Sequence, residues 1–393
     1  MPALDLPFSA KEYARRLSKT RTAMAAQGLD ALFLTDPSNQ AWLTGYDGWS
    51  FYVHQGVIVL PDADPIWWGR NQDTNGALRT VWMSADRVRG YADHFVQSTE
   101  RHPMQDLASH LADLGLETAR IGVEMDNYYF SAKAMEVLRA SLPGAGWVDA
   151  TALVNWQRAV KSAPEIAFMR KAAAISEKIV DGVLERVEPG VPKNEIVAEI
   201  LRDGVRGVGD DWGDYAAIVP LLPSGSDAAA PHLTWDDRPM QTGEATFFEI
   251  AGAHRRYQCP QSRTLFLGDA PQKYRDAEQA VLDAIDAGLE QAKPGNQAQD
   301  IANAFNATLN KAGFEKDSRC GYAIGISYPP DWGERTISFR RGDTTELKAG
   351  MTFHFMPALW LDDGGLEITE PILITPDGHE CLCNTPRELF VKA

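Results

Sequence analysis

A chain of 393 residues exceeds what one ordinary hydrophobic core organises, so two domains are expected, and a hydrophobic content of 44% is enough to fill both. The formal net charge of −16 argues against a nucleic-acid surface and against docking on anionic membranes, since both need clustered Lys and Arg. Cys259, Cys320, Cys381 and Cys383 show no CxxC spacing and no secreted-scaffold pattern, and neither a signal-like N-terminus nor a bilayer-length apolar run is visible. The expectation is a soluble cytoplasmic protein with reduced thiols.

In chain order, residues 9–27 carry apolar positions at helical spacing and Gly28 ends the run. The stretch ALFLT reads as a strand, as do VIVLP and PIWWG. A helix follows from Asp73, a strand at IGVEMD and a helix from Ser131, giving an α/β domain over residues 1–160 with its boundary in the turn at 161–164. Within it, GYDGWSFYVHQG has two readings. Either it is a strand whose aromatics pack in the core, or Trp49, placed after a Gly-rich turn, reaches a ligand together with Tyr52.

Residues 161–393 begin with a long amphipathic helix opened by Pro164. A repeat then emerges: LERVEPGVPKNEI, ending at Ile196, echoes LEQAKPGNQAQDI, ending at Ile301, each closing a helix at Pro-Gly and opening another. Between the copies lies TFFEIAGAHRRYQCPQSRTLFLG, two apolar strands joined by a basic turn. Strand alternation sets Phe247, Glu249 and Ala251 on one face and Phe248 and Ile250 on the other. A carboxylate among apolar neighbours is costly unless paired or used; taken alone, Glu249 also reads as an edge-strand acid facing water.

This hairpin and the segments after it resemble the creatinase, prolidase and methionine aminopeptidase superfamily, whose catalytic domain has the pita-bread α+β fold. The resemblance implies an α/β N-terminal domain followed by a pita-bread domain. Metal-dependent members hold two ions with five ligands. At the matching positions this chain has Glu249, Pro260, Tyr322 in GYAIG, Met356 in FHFMP and Thr369 in EITEPILIT. Pro and Met offer no carboxylate oxygen to a hard dication, so no metal and no cofactor are expected. TDPSNQAWLTGYDGWSFYVHQG, EMDNYYFSAKA, DAAAPHLTWDDRP, FFEIAG, GYAIGISYPPDWGERT and GMTFHFMP are most similar to the metal-free branch that opens the cyclic amidine ectoine by hydrolysis. That resemblance implies ectoine as substrate with hydroxyectoine as an alternative, the product N-acetyl-diaminobutyrate, a homodimer, and a product deacetylase as a possible partner.

Opening a cyclic amidine needs a nucleophile or base at the amidine carbon and an acid for the departing nitrogen. The resemblance gives the first role to Glu249 and the second to His232 in AAAPHLTWDD. An imidazole titrating near ~6.5 can accept and return a proton at neutral pH, although a lone His is more often an ordinary surface or core residue. Trp235, Tyr322 and Trp332 offer aromatic faces to a delocalised cation, with core packing as the plain alternative for each. Glu334 pairs with the amidinium or is a solvated loop charge. His354 shares a strand face with Met356 and is a second acid/base candidate. Glu367 shares a face with Thr369, and Glu370 points away from it. Arg263, Arg335, Arg340 and Arg341 are the candidates for the substrate carboxylate. Other readings are a metallopeptidase, a creatinase-like amidinohydrolase of another substrate, and a non-catalytic pita-bread binding module.

Overall fold

The computed structural model describes residues 5–392. The chain forms two compact units, one up to Gln157 and one from Arg158.

The first unit is a mixed six-stranded sheet with helices. It contains, in order, α1 (Ala10–Ala26), β1 (Ala31–Leu34), α2 (Pro37–Thr44), β2 (Gly56–Val59), β3 (Ile66–Arg70), α3 (Thr74–Thr80), β4 (Val88–Tyr91), α4 (Pro103–Asp113), β5 (Arg120–Val123), α5 (Ala132–Ser141) and β6 (Gly146–Asp149), with α6 (Leu153–Arg158) at its end. The strand order is β4-β3-β2-β1-β5-β6. Its helices start where the sequence supplies caps: the Ser9 side chain accepts from Glu12 N, Asp36 from Ser38 N and Ser131 from Ala134 N. The segment between Gly45 and Gly56 is a loop and not a core strand, and it leaves Trp49 and Tyr52 57% and 63% exposed.

The second unit opens with α7 (Ala163–Arg186), whose start is locked by a capping box between Ser162 and Glu165, and α8 (Lys193–Arg206). Then come β7 (Ala245–His254), β8 (Tyr257–Leu267), α9 (Gln272–Leu289), α10 (Ala298–Lys311), β9 (Gly321–Ile324), β10 (Gly333–Ser338), β11 (Thr352–Phe355), β12 (Ala358–Leu361), β13 (Gly364–Glu367), β14 (Glu370–Thr375), β15 (Gly378–Cys381) and β16 (Phe390–Lys392). They form sheets ordered β16-β8-β7, β10-β9-β11-β14-β15 and β12-β13.

The sequence repeat is also a structural one. Gly190 after α7 and Gly295 after α9 both take the left-handed conformation, at φ 92° and 89°. Gly190 N donates to Met240 O and Met240 N returns to Val191 O; likewise Gly295 N donates to Leu347 O and Leu347 N to Asn296 O. A second pair of left-handed glycines, Gly243 and Gly350, then leads into β7 and β11. Each half therefore pins its helix-helix turn to the segment that feeds its central strand.

The alternation expected for residues 247–251 holds. Phe248 and Ile250 pack into a core with Ile175, Ile179 and Val197 of α7 and α8, while Phe247 joins Leu221 and Ala228 in a separate cluster. Gly252 lets the strand lie close on α7, because a Cβ there would meet Ala172 O at 2.3 Å. Ser176 of α7 fills the remaining polar need by accepting from Gly252 N. Glu249 is thereby fixed on the face away from the α7–α8 core.

Candidate active site

Glu249 lies mid-strand in β7, opposite Ser262 of β8. Its other backbone edge is also paired: Glu249 N donates to Leu221 O and Leu221 N to Glu249 O, both at 3.0 Å. A carboxylate on so constrained a backbone has little freedom to leave its face of the sheet. The side chain is buried with 6% exposure, and His354 Nδ1 of β11 approaches its Oε1 to 3.9 Å.

Around this pair the sheets of the second unit converge. His354 pairs across strands with Tyr322 of β9. The Trp332 indole donates to the Tyr322 hydroxyl at 2.7 Å, and that hydroxyl lies 3.1 Å from His354 Nδ1. His354 Nε2 is 2.8 Å from Thr369 Oγ1, which also accepts from Ser262 N at 2.7 Å. The consistent assignment is Trp332 N–H to Tyr322 O, Tyr322 O–H to His354 Nδ1, and His354 Nε2–H to Thr369. Ser262 Oγ donates to Glu367 at 2.8 Å. A second buried acid thus stands beside the first, on the face shared with Thr369, while Glu370 turns away to pair with Arg263 at 2.8 Å.

Burial dominates the electrostatics. It holds Glu249 well above the usual carboxylate range, and the charge of Glu367 adds to the effect. Glu367 is pushed up to about 7 by burial, offset in part by the Ser262 hydrogen bond and by Lys316. His354 is driven down to about 3 by burial, with Arg319 and Arg263 acting the same way. The 3.9 Å approach of His354 to Glu249 is therefore no ion pair near neutrality, because the imidazole is uncharged.

The expected residues fall into four groups. Glu249, Tyr322, Trp332 and His354 converge on one buried cluster. His232 and Trp235 lie on the 221–240 segment, tethered to it through backbone: Leu221 pairs with Glu249, and Leu222 N donates to Thr234 O, two residues beyond His232. The His232 side chain is exposed, Trp235 is 36% exposed, and among the described residues no direct hydrogen bond joins His232 to Glu249. Glu334 is buried elsewhere in the unit, its carboxylate 2.6 Å from Lys161 Nζ. Trp49 and Tyr52 belong to the first unit. There, Tyr52 and His54 help line an open cavity of about 420 Å³ with Tyr91, Phe95, His102 and Tyr129.

The arginine question narrows sharply. Arg263 is fully buried and donates to Glu370 and to the carbonyls of Ser262, Thr369, Thr385 and Pro386, which leaves it no capacity for a ligand. Arg319, which stood outside the motif segments, instead lies with its guanidinium 4.4 Å from the Tyr322 ring centroid.

Fold and site together define a creatinase-type hydrolase scaffold. Residues 167–376 match the model of Metallopeptidase family M24, and residues 16–160 match that of the Creatinase/Prolidase N-terminal domain, so the chain belongs to this creatinase and prolidase superfamily. It is 55% identical over 403 aligned residues to an ectoine hydrolase of Halomonas elongata, covering 100% of both chains. It is 39% identical to an uncharacterized hydrolase/peptidase of Sinorhizobium fredii, over 98% of this chain and 99% of the relative. Among solved structures, a prolidase from Thermococcus sibiricus superposes with a TM-score of 0.84 at 18% identity, over 98% of this chain and 100% of that one. A dipeptidase from Pyrococcus horikoshii gives 0.80 at 21%, over 96% and 99%.

The family name implies a metal, and the residues here do not fit one. Pro260 has no donor. The Tyr322 hydroxyl is held by Trp332 and His354, both His354 ring nitrogens are engaged, and Thr369 serves Ser262 and His354. Among the described residues no group of three or more His, Cys, Asp or Glu is arranged to hold an ion. The same residues are instead joined in a hydrogen-bonded organic cluster.

Proposed function

We propose that this protein hydrolyses ectoine, opening the cyclic amidine to N-acetyl-diaminobutyrate, with Glu249 acting at the amidine carbon. The full-length relationship to the Halomonas enzyme supports the substrate. The observation that carries the mechanism is a pair of buried carboxylates, Glu249 and Glu367, with the neutral His354 beside Glu249.

An amidinium entering this site brings a positive charge to the two acids. Its charge favours the ionised form of Glu249, any proton there passing to solvent, and leaves a carboxylate against the electron-poor carbon with the Tyr322 and Trp332 rings beside it. A bond forms from Glu249 Oε to that carbon, and the C=N electron pair moves to nitrogen. The C–N bond to this nitrogen breaks as it takes a proton, while the lone pair of the second ring nitrogen forms a new C=N bond, leaving an O-imidoyl ester on Glu249. Water adds to that carbon, the Glu249 carboxylate departs, and the retained nitrogen carries the acetyl amide. His232 is the proposed proton carrier, since its loop is tied to the backbone of β7 and its imidazole meets solvent. His354, neutral at working pH, orients Tyr322 and Thr369. The chemistry runs on side chains without a metal. Trp49 and Tyr52 are proposed to complete the cage from the second subunit of a homodimer.

The test is incubation with ectoine in the presence of chelator, following the acetylated product by NMR. Turnover is expected, and Glu249→Ala is expected to lose about a hundredfold or more. Rapid-quench mass analysis should find substrate mass on the peptide carrying Glu249. Wild-type rates in the Ala variant, or a strict requirement for added dication, would reject the reading.

A further inference from the structure

Lys316 lies in the loop between α10 and β9, three residues before Arg319. A surface lysine ordinarily keeps its stem on the protein and its ammonium in water. Lys316 does the reverse: the residue is part-exposed, yet its Nζ is shut off from solvent and has no hydrogen-bond partner. A buried, unpartnered cation is expensive, and native proteins keep few of them.

The direction in which it points is informative. Lys316 and Glu367 sense one another's charge, yet they are not within ion-pair distance. Glu367 is the acid that stands beside Glu249. The same loop brings Arg319 against the Tyr322 ring, with its guanidinium donating to Ser338 Oγ at 3.2 Å. Two cationic side chains of one loop, the unpartnered Lys316 and the ring-stacked Arg319, thus border a cluster that holds two acids, and a small zwitterion carries both complementary charges.

We infer that Lys316, supported by Arg319, is the anchor for the carboxylate of a zwitterionic cyclic amidine whose amidinium faces Glu249 and Glu367. The inference rests on the proposed function for its substrate. It adds a specificity determinant: the pole opposite the reacting carbon is read by the 312–320 loop and not by Arg263, Arg335, Arg340 or Arg341. A carboxylate settling against Nζ relieves the desolvated ammonium and fixes the ring's orientation, and an amidine lacking it gains neither.

Calorimetric titration in a Glu249→Gln background separates binding from turnover. The probes are ectoine and its decarboxylated counterpart, 2-methyl-1,4,5,6-tetrahydropyrimidine. With Lys316 intact, ectoine is expected to bind at least about 30-fold more tightly than the counterpart. Lys316→Met should erase most of that preference by weakening ectoine alone, and Lys316→Arg should retain it, the size being that of losing one partner of a desolvated charge pair. Equal affinity of the two probes with Lys316 intact overturns the inference without recourse to any Lys316 variant. So does a Met variant that weakens both alike or neither. Carboxylate-dependent binding that vanishes in the Met variant, in a wild-type protein that never turns ectoine over, sustains the Lys316 assignment and rejects the proposed function.

Discussion

At the scale of the residue, what distinguishes this site is the placing of two acids together with their protons. Glu249 and Glu367 are both buried and both held above the ordinary carboxylate range, so the pair carries less than its full negative charge near neutrality. Protonated Glu249 neither pairs with an amidinium nor attacks carbon. The acid limb of kcat/KM, which reports the free enzyme, is therefore expected well above the ~4.3 of a free glutamate. The limb in kcat should lie lower, because bound amidinium favours the carboxylate. Glu367→Gln removes the charge opposing Glu249 ionisation, so it should move the kcat/KM limb to lower pH; an unmoved limb would show that the two acids are not coupled. Stability has the corresponding sign. A carboxyl whose folded pKa is raised contributes stability that is fully present below its unfolded pKa and lost as pH rises through the folded one. Glu367→Gln should consequently gain on wild type in denaturant melts at pH 8 more than at pH 5.

At the scale of the element, strands position the chemistry and loops admit the substrate. β7 and β8 place Glu249 and Ser262 face to face, and β14 carries the Glu370 that neutralises Arg263. That buried pair, with four carbonyls saturating the guanidinium, ties β8 to β14 and to the 385–386 segment. Arg263→Ala would leave buried Glu370 with only the longer Arg387 ion pair, at 3.6 Å, and is expected to lower unfolding stability by about 3 kcal/mol, measured in urea. Affinity for ectoine in the variant that remains folded should change little, which separates it from Lys316→Met. The repeated turns make a matched prediction. Gly190→Ala and Gly295→Ala each put a Cβ on a left-handed residue, in open space according to the local packing, so each should cost about 1 kcal/mol through backbone strain alone.

At the scale of the whole molecule, Trp49 and Tyr52 are exposed aromatic surface on a loop of the first unit, Trp49 with its ring 4.8 Å from that of Phe51. If they serve the site of a second subunit, mixing Trp49→Ala protein with Glu249→Gln protein should restore activity that neither has alone, because a mixed dimer contains one site free of both lesions. No recovery after subunit exchange would confine them to another role. No helix among the described residues is long and apolar enough to cross a membrane.

The sequence by itself determined what is local or periodic. Capped and amphipathic helices, the repeat around Gly190 and Gly295, and the alternation that separates Glu249 from Phe248 depend on neighbours within a few positions. That Pro260 and Met356 offer no carboxylate oxygen was equally legible, because ligand chemistry is a property of the residue. Tertiary structure decided whatever depends on partners distant in the chain. Arg263 was indistinguishable from other arginines until its five acceptors were seen around it, and Glu334 until Lys161 was found beside it. The 46–55 segment, readable as a strand from its aromatics, is a loop. Lys316 gave no signal at all in a charged loop sequence, since only the fold turns its ammonium inward. Burial sets the charge of these groups, and it is created by the meeting of strands more than a hundred residues apart.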